Sequence, residues 1–160
     1  MIVRAAVRAD AADMADLVNQ IIRIGGTTAH EDEMTPEQVA GYYIEGPDVF
    51  CGVVAVEDGR LIGFQSVGRH PALPDGWGDI GTYVAPDMQR NGVGAALFAA
   101  TCLAARAAGL RVINATIRAD NVPGLASYAR RGFVDYALDP EYRLRDGRQV
   151  GRISRRFDLV

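Results

Sequence analysis

The sequence predicts an α/β (α+β) fold in which a mixed, mostly antiparallel sheet of about seven strands is flanked by about four helices. Short β-rich runs alternate with segments of helical periodicity, and three consecutive strands stand between the second and third helices, an order typical of a sheet covered on its faces. The 160 residues contain no internal repeat and no linker-like stretch, and 49% of them are apolar. We therefore expect residues 1–160 to form one domain.

The first half of the chain contains two predicted helices between a single strand and a hairpin. The elements are a strand over 2–7, a helix behind Asp10, a short helix opened by Pro36, and strands over 50–56 and 61–67. Asp10 is a candidate N-cap, and proline suits the first position of a helix. The last two strands flank Asp58-Gly59, a pair typical of a tight hairpin turn.

The second half alternates strands and helices before it ends in two strands. The elements are a strand over 79–84, a helix from about 90 to 108, a strand over 111–117, a helix over 123–131, and strands over 133–142 and 149–159. Ala85-Pro86 stops the first strand of this half, and Gly109 and Gly132 end its two helices. The long helix after residue 90 is the largest predicted element.

Composition excludes several classes of partner. The net charge of −3 offers no electrostatic attraction for nucleic acid, and no apolar run approaches the roughly 20 residues that cross a bilayer. The N-terminus lacks the long apolar stretch of a signal peptide, so we expect a cytoplasmic protein. The two cysteines and two histidines have no metal-ligand spacing, and no metal is expected.

The most informative segment runs from Val84 to Ala95, where a strand ends and a glycine-bearing loop leads into the longest predicted helix. A helix N-terminus presents unpaired backbone N–H groups and the positive end of the helix dipole. Gly92 and Gly94 remove side chains that would keep a pyrophosphate from those groups, so the loop is a candidate anion site. Glycines before a helix also suit a tight turn alone, and the lysine of a nucleotide P-loop is missing.

A second block stands downstream, in residues 117–121 (IRADN), 126–128 (ASY) and 132–133 (GF). With this block and the loop at 89–94, the chain resembles the GNAT superfamily of acyl-CoA-dependent N-acetyltransferases, and within it the phosphinothricin and amino-acid N-acetyltransferase branch. The loop matches the family's Gln/Arg-x-x-Gly-x-Gly/Ala signature, and residues 117–133 match its Asn…Tyr…Gly-Phe block. The resemblance covers nearly the whole chain and implies a GNAT-like sheet, with acetyl-CoA as co-substrate.

The resemblance also implies which residues hold the cofactor. The backbones of Tyr83 and Val84 are expected to pair with the pantetheine arm like an added strand, with Gln89 shaping the turn and Asn121 contacting the cofactor. The pyrophosphate is expected on a run of backbone N–H groups, those of Arg90, Asn91, Gly92, Val93, Gly94 and Ala95. The strand before the loop is expected to splay from the next one and open a slot for the thioester. From the residues alone, Asn121 is equally a candidate helix N-cap.

Tyr128 and Asp79 are the candidate catalytic residues. The resemblance puts Tyr128 near the cofactor sulfur, where a phenol with a pKa of about 10 can donate a proton to the departing thiolate. Packing on the helix is the alternative for Tyr128. Asp79 resembles the glutamate that the same branch carries in this strand, and because aspartate is one methylene shorter, a water is a possible relay. Glu31, Glu33 and His30 are rival bases, and Asp79 also suits a solvated strand end.

The expected acceptor is the primary amine of a small molecule such as an amino acid, which attacks the thioester directly in a ternary complex. The acidic loop at 31–37 would attract a cationic amine. A peptide or protein N-acetyltransferase, which needs an open groove, and a non-catalytic acyl-CoA-binding sensor are the alternatives. A homodimer is expected through the apolar and arginine-rich C-terminal end, which includes Tyr136, Leu138, Tyr142, Leu144, Ile153 and Phe157.

Overall fold

The computed structural model describes residues 1–160. Its helices and strands are, in chain order, β1 Ile2–Ala5, α1 Ala11–Ile24, α2 Pro36–Val39, β2 Val49–Glu57, β3 Arg60–Gly68, β4 Trp77–Val84, α3 Val93–Ala107, β5 Val112–Arg118, α4 Val122–Arg130, β6 Val134–Asp139 and β7 Arg152–Asp158. A turn of π-helix, Ala40–Ile44, extends α2. The count of seven strands and four helices agrees with the sequence prediction.

All seven strands form one sheet in the order β1-β2-β3-β4-β5-β7-β6. Every neighbouring pair is antiparallel except β4 and β5, which run parallel. The connection between these two strands contains α3, as expected for a parallel crossover. The predicted fold class, a mixed and mostly antiparallel sheet with helices, is therefore confirmed.

Helices cover both faces of the sheet. On one face, α1 and the α2 region bury Met14, Val18 and Tyr43 against Phe64 and Tyr83 of the sheet. On the other face, α3 packs on the sheet through a second cluster, which includes Phe98, Cys102, Ile113 and Phe133. We refer to these faces as the α1 face and the α3 face. No helix is both long enough and apolar enough to span a membrane.

The hairpin between β2 and β3 forms where the sequence predicted it. Asp58 and Gly59 have φ angles of 51° and 74°, both in the left-handed region that a type I′ turn requires. Thr35 and Gln38 form a capping box at the start of α2. The Thr35 hydroxyl accepts the backbone N–H of Gln38, and the backbone N–H of Thr35 donates to the side-chain oxygen of Gln38. These local features follow from a few adjacent residues.

Two predicted details of the helices are wrong. The long helix begins at Val93 rather than at about residue 90, because Arg90 and Gly92 have φ angles of 69° and 79°, which a right-handed helix excludes. Asp10 makes no side-chain cap of α1. Its carboxylate instead accepts the N–H of Val7 at 2.8 Å and pairs with both terminal nitrogens of Arg4.

The last two strands are shorter than predicted. Strand β6 ends at Asp139 instead of residue 142, because Pro140 follows and has no N–H to donate to a ladder. Strand β7 begins at Arg152 instead of residue 149, directly after Gly151, whose φ angle of 70° breaks the extended backbone. The segment between them forms a turn-rich connection.

Candidate active site

The parallel strands β4 and β5 separate after three residue pairs. Trp77, Gly78 and Asp79 pair with residues 112–114, and no pairing continues beyond Asp79. Residues 80–84 remain paired with β3 on their outer side, and β5 remains paired with β7. The sheet therefore contains a wedge-shaped gap between β4 and β5, which is the splay that the sequence led us to expect. We call this gap the slot.

The loop at the open end of the slot presents free backbone donors. The first hydrogen bond of α3 runs from Ala96 N to Gly92 O at 3.1 Å. The earlier N–H groups, those of Arg90, Gly92, Val93, Gly94 and Ala95, reach no acceptor in the chain, and α3 has no side-chain cap. Asn91 N makes only a long contact of 3.4 Å with Met88 O. These groups and the helix dipole form a cradle that suits an anion.

Two further features of the cradle suit a phosphate-bearing ligand. A Cβ built on Gly94 would lie 3.1 Å from a guanidinium nitrogen of Arg131, so the glycine keeps this space open. Arg131 is partly buried, and this burial lowers its pKa. No carboxylate lies close enough to raise it again. The cradle therefore combines the positive end of a helix with an arginine that lacks an acidic partner. The residues present fit the diphosphate of acetyl-CoA.

Tyr128 lies on α4 and reaches the slot from the α3 face. Its hydroxyl is 2.8 Å from Oγ1 of Thr82, in the part of β4 that has left β5. Its ring packs edge-on against Phe133, with centroids 5.0 Å apart. Burial raises the pKa of Tyr128, the hydrogen bond from Thr82 opposes this, and the charge of Asp79 adds to it. The phenol is therefore protonated at neutral pH and can donate.

Asp79 is the last residue of β4 that pairs with β5, so it stands where the slot begins. Side chains alternate along a strand, which puts Asp79 on the α1 face with Tyr83 and opposite to Thr82. Its Oδ1 accepts a hydrogen bond of 2.7 Å from Nδ2 of Asn114. Burial raises the pKa of Asp79, and the hydrogen bond from Asn114 opposes this rise. A carboxylate with a raised pKa is suited to proton transfer near neutral pH.

The rival glutamates lie outside the slot. Glu31 is exposed, and its carboxylate accepts the backbone N–H of Arg145 at 3.0 Å. Glu33 is exposed as well and forms an ion pair with Arg23. Both carboxylates are thus engaged at the surface of the loop that follows α1.

His30, the third rival, joins a buried chain of hydroxyl groups on the α1 face. Its Nε2 is 3.1 Å from the hydroxyl of Tyr43, which is 3.1 Å from that of Tyr83. The Tyr83 hydroxyl is also 3.4 Å from Oγ1 of Thr28. Burial lowers the pKa of His30, so the ring is neutral at pH 7. The sequence indicated a backbone role for Tyr83 and no role for Tyr43, because neither hydroxyl belongs to a local motif.

The loop after α1 is tied across the α1 face by polar contacts. The buried Arg118 donates to the carbonyl of Thr28 at 3.2 Å while it pairs with Asp120. Asn121 caps α4 by accepting the N–H of Gly124 at 3.0 Å, and its Nδ2 donates to the carbonyl of Thr27 at 3.1 Å. Both polar ends of Asn121 are thus engaged within the chain, and its contact with the cofactor stays a prediction.

A cleft of about 440 Å³ opens beside this loop. Its lining residues are His30, Asp32, Glu33, Met34, Gln38 and Tyr42. Asp32 pairs with Arg145, so this carboxylate is neutralised at the rim. The cleft leads toward the buried hydroxyl chain through His30, which belongs to both. The α1 face of the slot therefore has a polar and aromatic approach from solvent.

The site thus combines a splayed parallel strand pair, an anion cradle at the adjoining helix and a tyrosine hydroxyl across the gap, an arrangement that suits an acyl-CoA ligand. The profile of the acetyltransferase (GNAT) family matches residues 15–133. The chain belongs to the GNAT acetyltransferase family.

Curated relatives agree with this assignment. The chain is 40% identical over 89 residues to a mycothiol acetyltransferase of Clavibacter michiganensis, a match that covers 54% of this chain and 27% of that protein. The chain spans less than a third of the length of the curated mycothiol acetyltransferases that it matches.

The fold is shared with two solved acetyltransferases at low sequence identity. A ribosomal-protein-alanine N-acetyltransferase from Brucella melitensis superimposes with a TM-score of 0.86 at 19% identity, over 99% of both chains. A phosphinothricin acetyltransferase from Sinorhizobium meliloti, solved in complex with acetyl-CoA, superimposes with a TM-score of 0.83 at 21% identity, over 99% of this chain and 88% of that one.

Proposed function

We propose that this protein transfers the acetyl group of acetyl-CoA to the primary amine of a small molecule, by direct attack in a ternary complex. The observation that carries the proposal is the slot, whose α3 face combines the N–H cradle of residues 90–95 with the hydroxyl of Tyr128. The pantetheine arm would run along Tyr83 and Val84, and the diphosphate would lie on the cradle. Acetyl-CoA supplies an activated acyl group and a thiolate leaving group.

The chain's own residues would move the protons of this reaction. Asp79, at the base of the slot, would accept a proton from the ammonium form of the acceptor, directly or through water. Tyr128 would donate its proton to sulfur as the carbon–sulfur bond breaks and would recover one from the new amide nitrogen. The products are an amide, the thiol of CoA and one proton released to solvent. The raised pKa of Asp79 supports its role as a base near neutral pH, and the position of the protonated Tyr128 hydroxyl at the slot supports its role as the donor.

A small acceptor is supported by the loop after α1. Its backbone is held over the α1 face by Arg118 and Asn121, and the cleft of about 440 Å³ beside it is of a size that suits a small molecule. The name of the matched relatives, mycothiol acetyltransferase, also supports a small molecule. A non-catalytic acyl-CoA sensor is disfavoured because a sensor needs neither a protonated phenol at the slot nor a carboxylate at its base.

Two measurements test the proposed function. Acetyl-CoA at about 100 times its dissociation constant should stabilise the protein by about 2.7 kcal/mol, which calorimetry or a thermal shift detects. Release of free thiol from acetyl-CoA should then depend on the acceptor across a panel of amino acids, polyamines, amines related to mycothiol and short peptides. Absence of any stabilisation refutes the cofactor assignment, and activity confined to the peptides refutes the small acceptor.

We also propose that the protein is a homodimer. Strand β6 is an edge of the sheet, and its Val134 and Leu138 side chains are 59% and 67% exposed. An edge with apolar side chains is a common route to association. Light scattering at micromolar concentration should give twice the chain mass of 17.2 kDa. A monomeric mass would refute the proposal.

A further inference from the structure

Tyr136 is the extra residue of a β-bulge in the edge strand β6. The register with β7 shifts between Asp135 and Ala137, so Tyr136 has no partner residue on the neighbouring strand. Bulges redirect side chains and are common beside active sites. The Tyr136 ring lies edge-on to Trp77 with centroids 5.7 Å apart, and Trp77 shares the α1 face with Asp79. The side chain therefore lies over the base of the slot.

A short chain of hydrogen bonds connects Tyr136 to Asp79. The Tyr136 hydroxyl donates to Oδ1 of Asn114 in β5. Nδ2 of Asn114 donates to Asp79 Oδ1 at 2.7 Å and to Thr116 Oγ1 at 3.0 Å. Asn114 is only 3% exposed, so water does not compete for its amide. Both N–H donors and the carbonyl oxygen of this buried amide thus have partners inside the protein.

The phenol reinforces the orientation of the Asn114 amide in which the NH₂ group faces the carboxylate. An amide has one acceptor end and one donor end. With the Tyr136 hydroxyl donating to Oδ1, only the NH₂ group remains for Asp79. In the reversed orientation the carbonyl oxygen would face an anionic carboxylate, and the two groups would repel each other. Removing the hydroxyl removes the one side-chain donor to Asn114 Oδ1 and leaves the amide held only through its NH₂ group.

We propose that Tyr136 and Asn114 are positioning residues for Asp79: the phenol holds the amide, and the amide holds the carboxylate oriented and ionised at the base of the slot. The inference rests on the proposed function, in which Asp79 accepts the proton of the amine. It adds two residues to the site that belong to no local motif. Tyr136 was expected as part of a dimer surface, and 44% of the residue is exposed, while its hydroxyl reaches the buried Asn114.

Several other groups act on Asp79 and set the background for the hydrogen bond. Two of these groups are His70, in the turn after β3, and Arg152, in β7. The others are phenols from four different elements, namely Tyr42, Tyr83, Tyr128 and Tyr136. Burial raises the pKa of Asp79, and the hydrogen bond from Asn114 lowers it more than His70 or Arg152 does. Loss of that bond should therefore be visible as a higher pKa.

The first test is Tyr136→Phe, which keeps the ring against Trp77 and removes the hydroxyl. Carbon-13 NMR of the aspartate carboxyls in the full chain follows Asp79 directly, with its signal assigned by its absence in Asp79→Asn. The titration midpoint should rise by about one pH unit, the scale of a hydrogen bond to a charged group. Tyr142→Phe is the matched control, because its hydroxyl makes no hydrogen bond. Superimposable titrations of Tyr136→Phe and wild type would overturn the inference.

A second variant keeps the test decisive if Tyr136→Phe folds poorly. Asn114→Asp keeps the size of the side chain and places a second carboxylate beside Asp79. The two carboxyl groups should share a proton, so one of their titration midpoints should rise further than in Tyr136→Phe. An unshifted Asp79 midpoint in this variant would also overturn the inference. The NMR titration needs no substrate, so it fails or succeeds independently of the proposed function.

Activity distinguishes positioning from a structural role. With an amine that the wild type accepts, kcat/KM of Tyr136→Phe should be about tenfold lower than that of wild type at pH values below the raised titration midpoint of Asp79. Above that midpoint kcat/KM should recover, and the KM for acetyl-CoA should be unchanged throughout. An equal loss at every pH would assign Tyr136 to structure and refute the inference. A wild type that transfers acetyl to no amine would refute the proposed function instead.

Discussion

The α3 face and the α1 face of the slot are assembled in different ways. On the α3 face, the anion cradle comes from one loop, whose N–H groups at residues 90–95 are local in sequence. On the α1 face, Asp79, Asn114 and Tyr136 come from three separate segments and are joined by side-chain hydrogen bonds, and His30 from a fourth segment is bonded to Tyr43. A backbone site tolerates many side chains, whereas a site built from side chains depends on every atom in it.

The two faces also differ in charge. The α3 face offers a helix N-terminus and Arg131, which together suit a polyanion. The α1 face offers a carboxylate and several phenols, which suit a cationic amine. Under the proposed function, two ligands of opposite charge would therefore meet where β4 and β5 diverge. Substitutions on either face should consequently affect different kinetic constants.

The largest effect is expected from Tyr128→Phe. Because the hydroxyl is used only when the thiolate leaves, kcat should fall by roughly 10²- to 10⁴-fold while the affinity for acetyl-CoA stays nearly constant. Stopped-flow turnover under conditions in which chemistry limits the rate, together with calorimetric titration of acetyl-CoA, measures both quantities. Unchanged turnover would assign Tyr128 to packing against Phe133.

The next effect in size concerns Asp79→Asn. Asparagine keeps the size but accepts no proton, so kcat/KM should fall most at neutral pH, by roughly 10²-fold. Raising the pH supplies neutral amine without help from the enzyme, and the variant should recover toward the pKa of the acceptor. Glu31→Gln and Glu33→Gln are matched controls on the exposed loop and should resemble wild type. Parallel profiles of Asp79→Asn and wild type, within about twofold, would exclude Asp79 as the base.

On the α3 face, Gly94→Glu should weaken acetyl-CoA by about 100-fold or more, because a carboxylate would occupy the space beside Arg131. The thermal stabilisation by acetyl-CoA should then disappear. Ala99→Glu, which adds the same charge to an exposed position of α3, is the control and should retain the stabilisation. If acetyl-CoA stabilised both variants equally, the cradle would not be part of the cofactor site.

The smallest expected effect is a difference between Asp10 and Asp79 in how their contributions to stability change with pH. The pKa of Asp10 is lowered by its hydrogen bonds with Arg4, so it contributes stability above its unfolded pKa that is lost as the pH falls. The pKa of Asp79 is raised by burial, so its contribution is present below its unfolded pKa of 3.8 and is lost as the pH rises.

Melting curves between pH 3 and pH 8 check this contrast. Relative to wild type, Asp10→Asn should be destabilised at pH 7 and approach wild type toward pH 3. Asp79→Asn should equal wild type at the acidic end and gain relative stability as the pH rises above about 4. The same pH dependence in both variants would contradict the assigned shifts.

The local parts of the fold were predictable because a few adjacent residues determine them. Asp58-Gly59 adopts the two left-handed φ angles of its turn, and Thr35 caps α2 beside Pro36. The loop with Gly92 forms at the start of the longest helix, as its spacing indicated. Even here the observed helix begins about one turn later than predicted. Arg90 has a left-handed φ angle, which is uncommon for arginine and could not be recognised from the residue type.

The sequence by itself determined the order of the elements, the anion cradle and the family motifs, since these depend on backbone conformation over short stretches. Only the tertiary structure decided that the Tyr136 hydroxyl reaches Asn114 from a bulge and that Tyr43 links His30 to Tyr83. Such contacts depend on strand register and on which segments the core brings together. Residues far apart in the chain carry no local signal of that proximity, because packing of the whole sheet creates it.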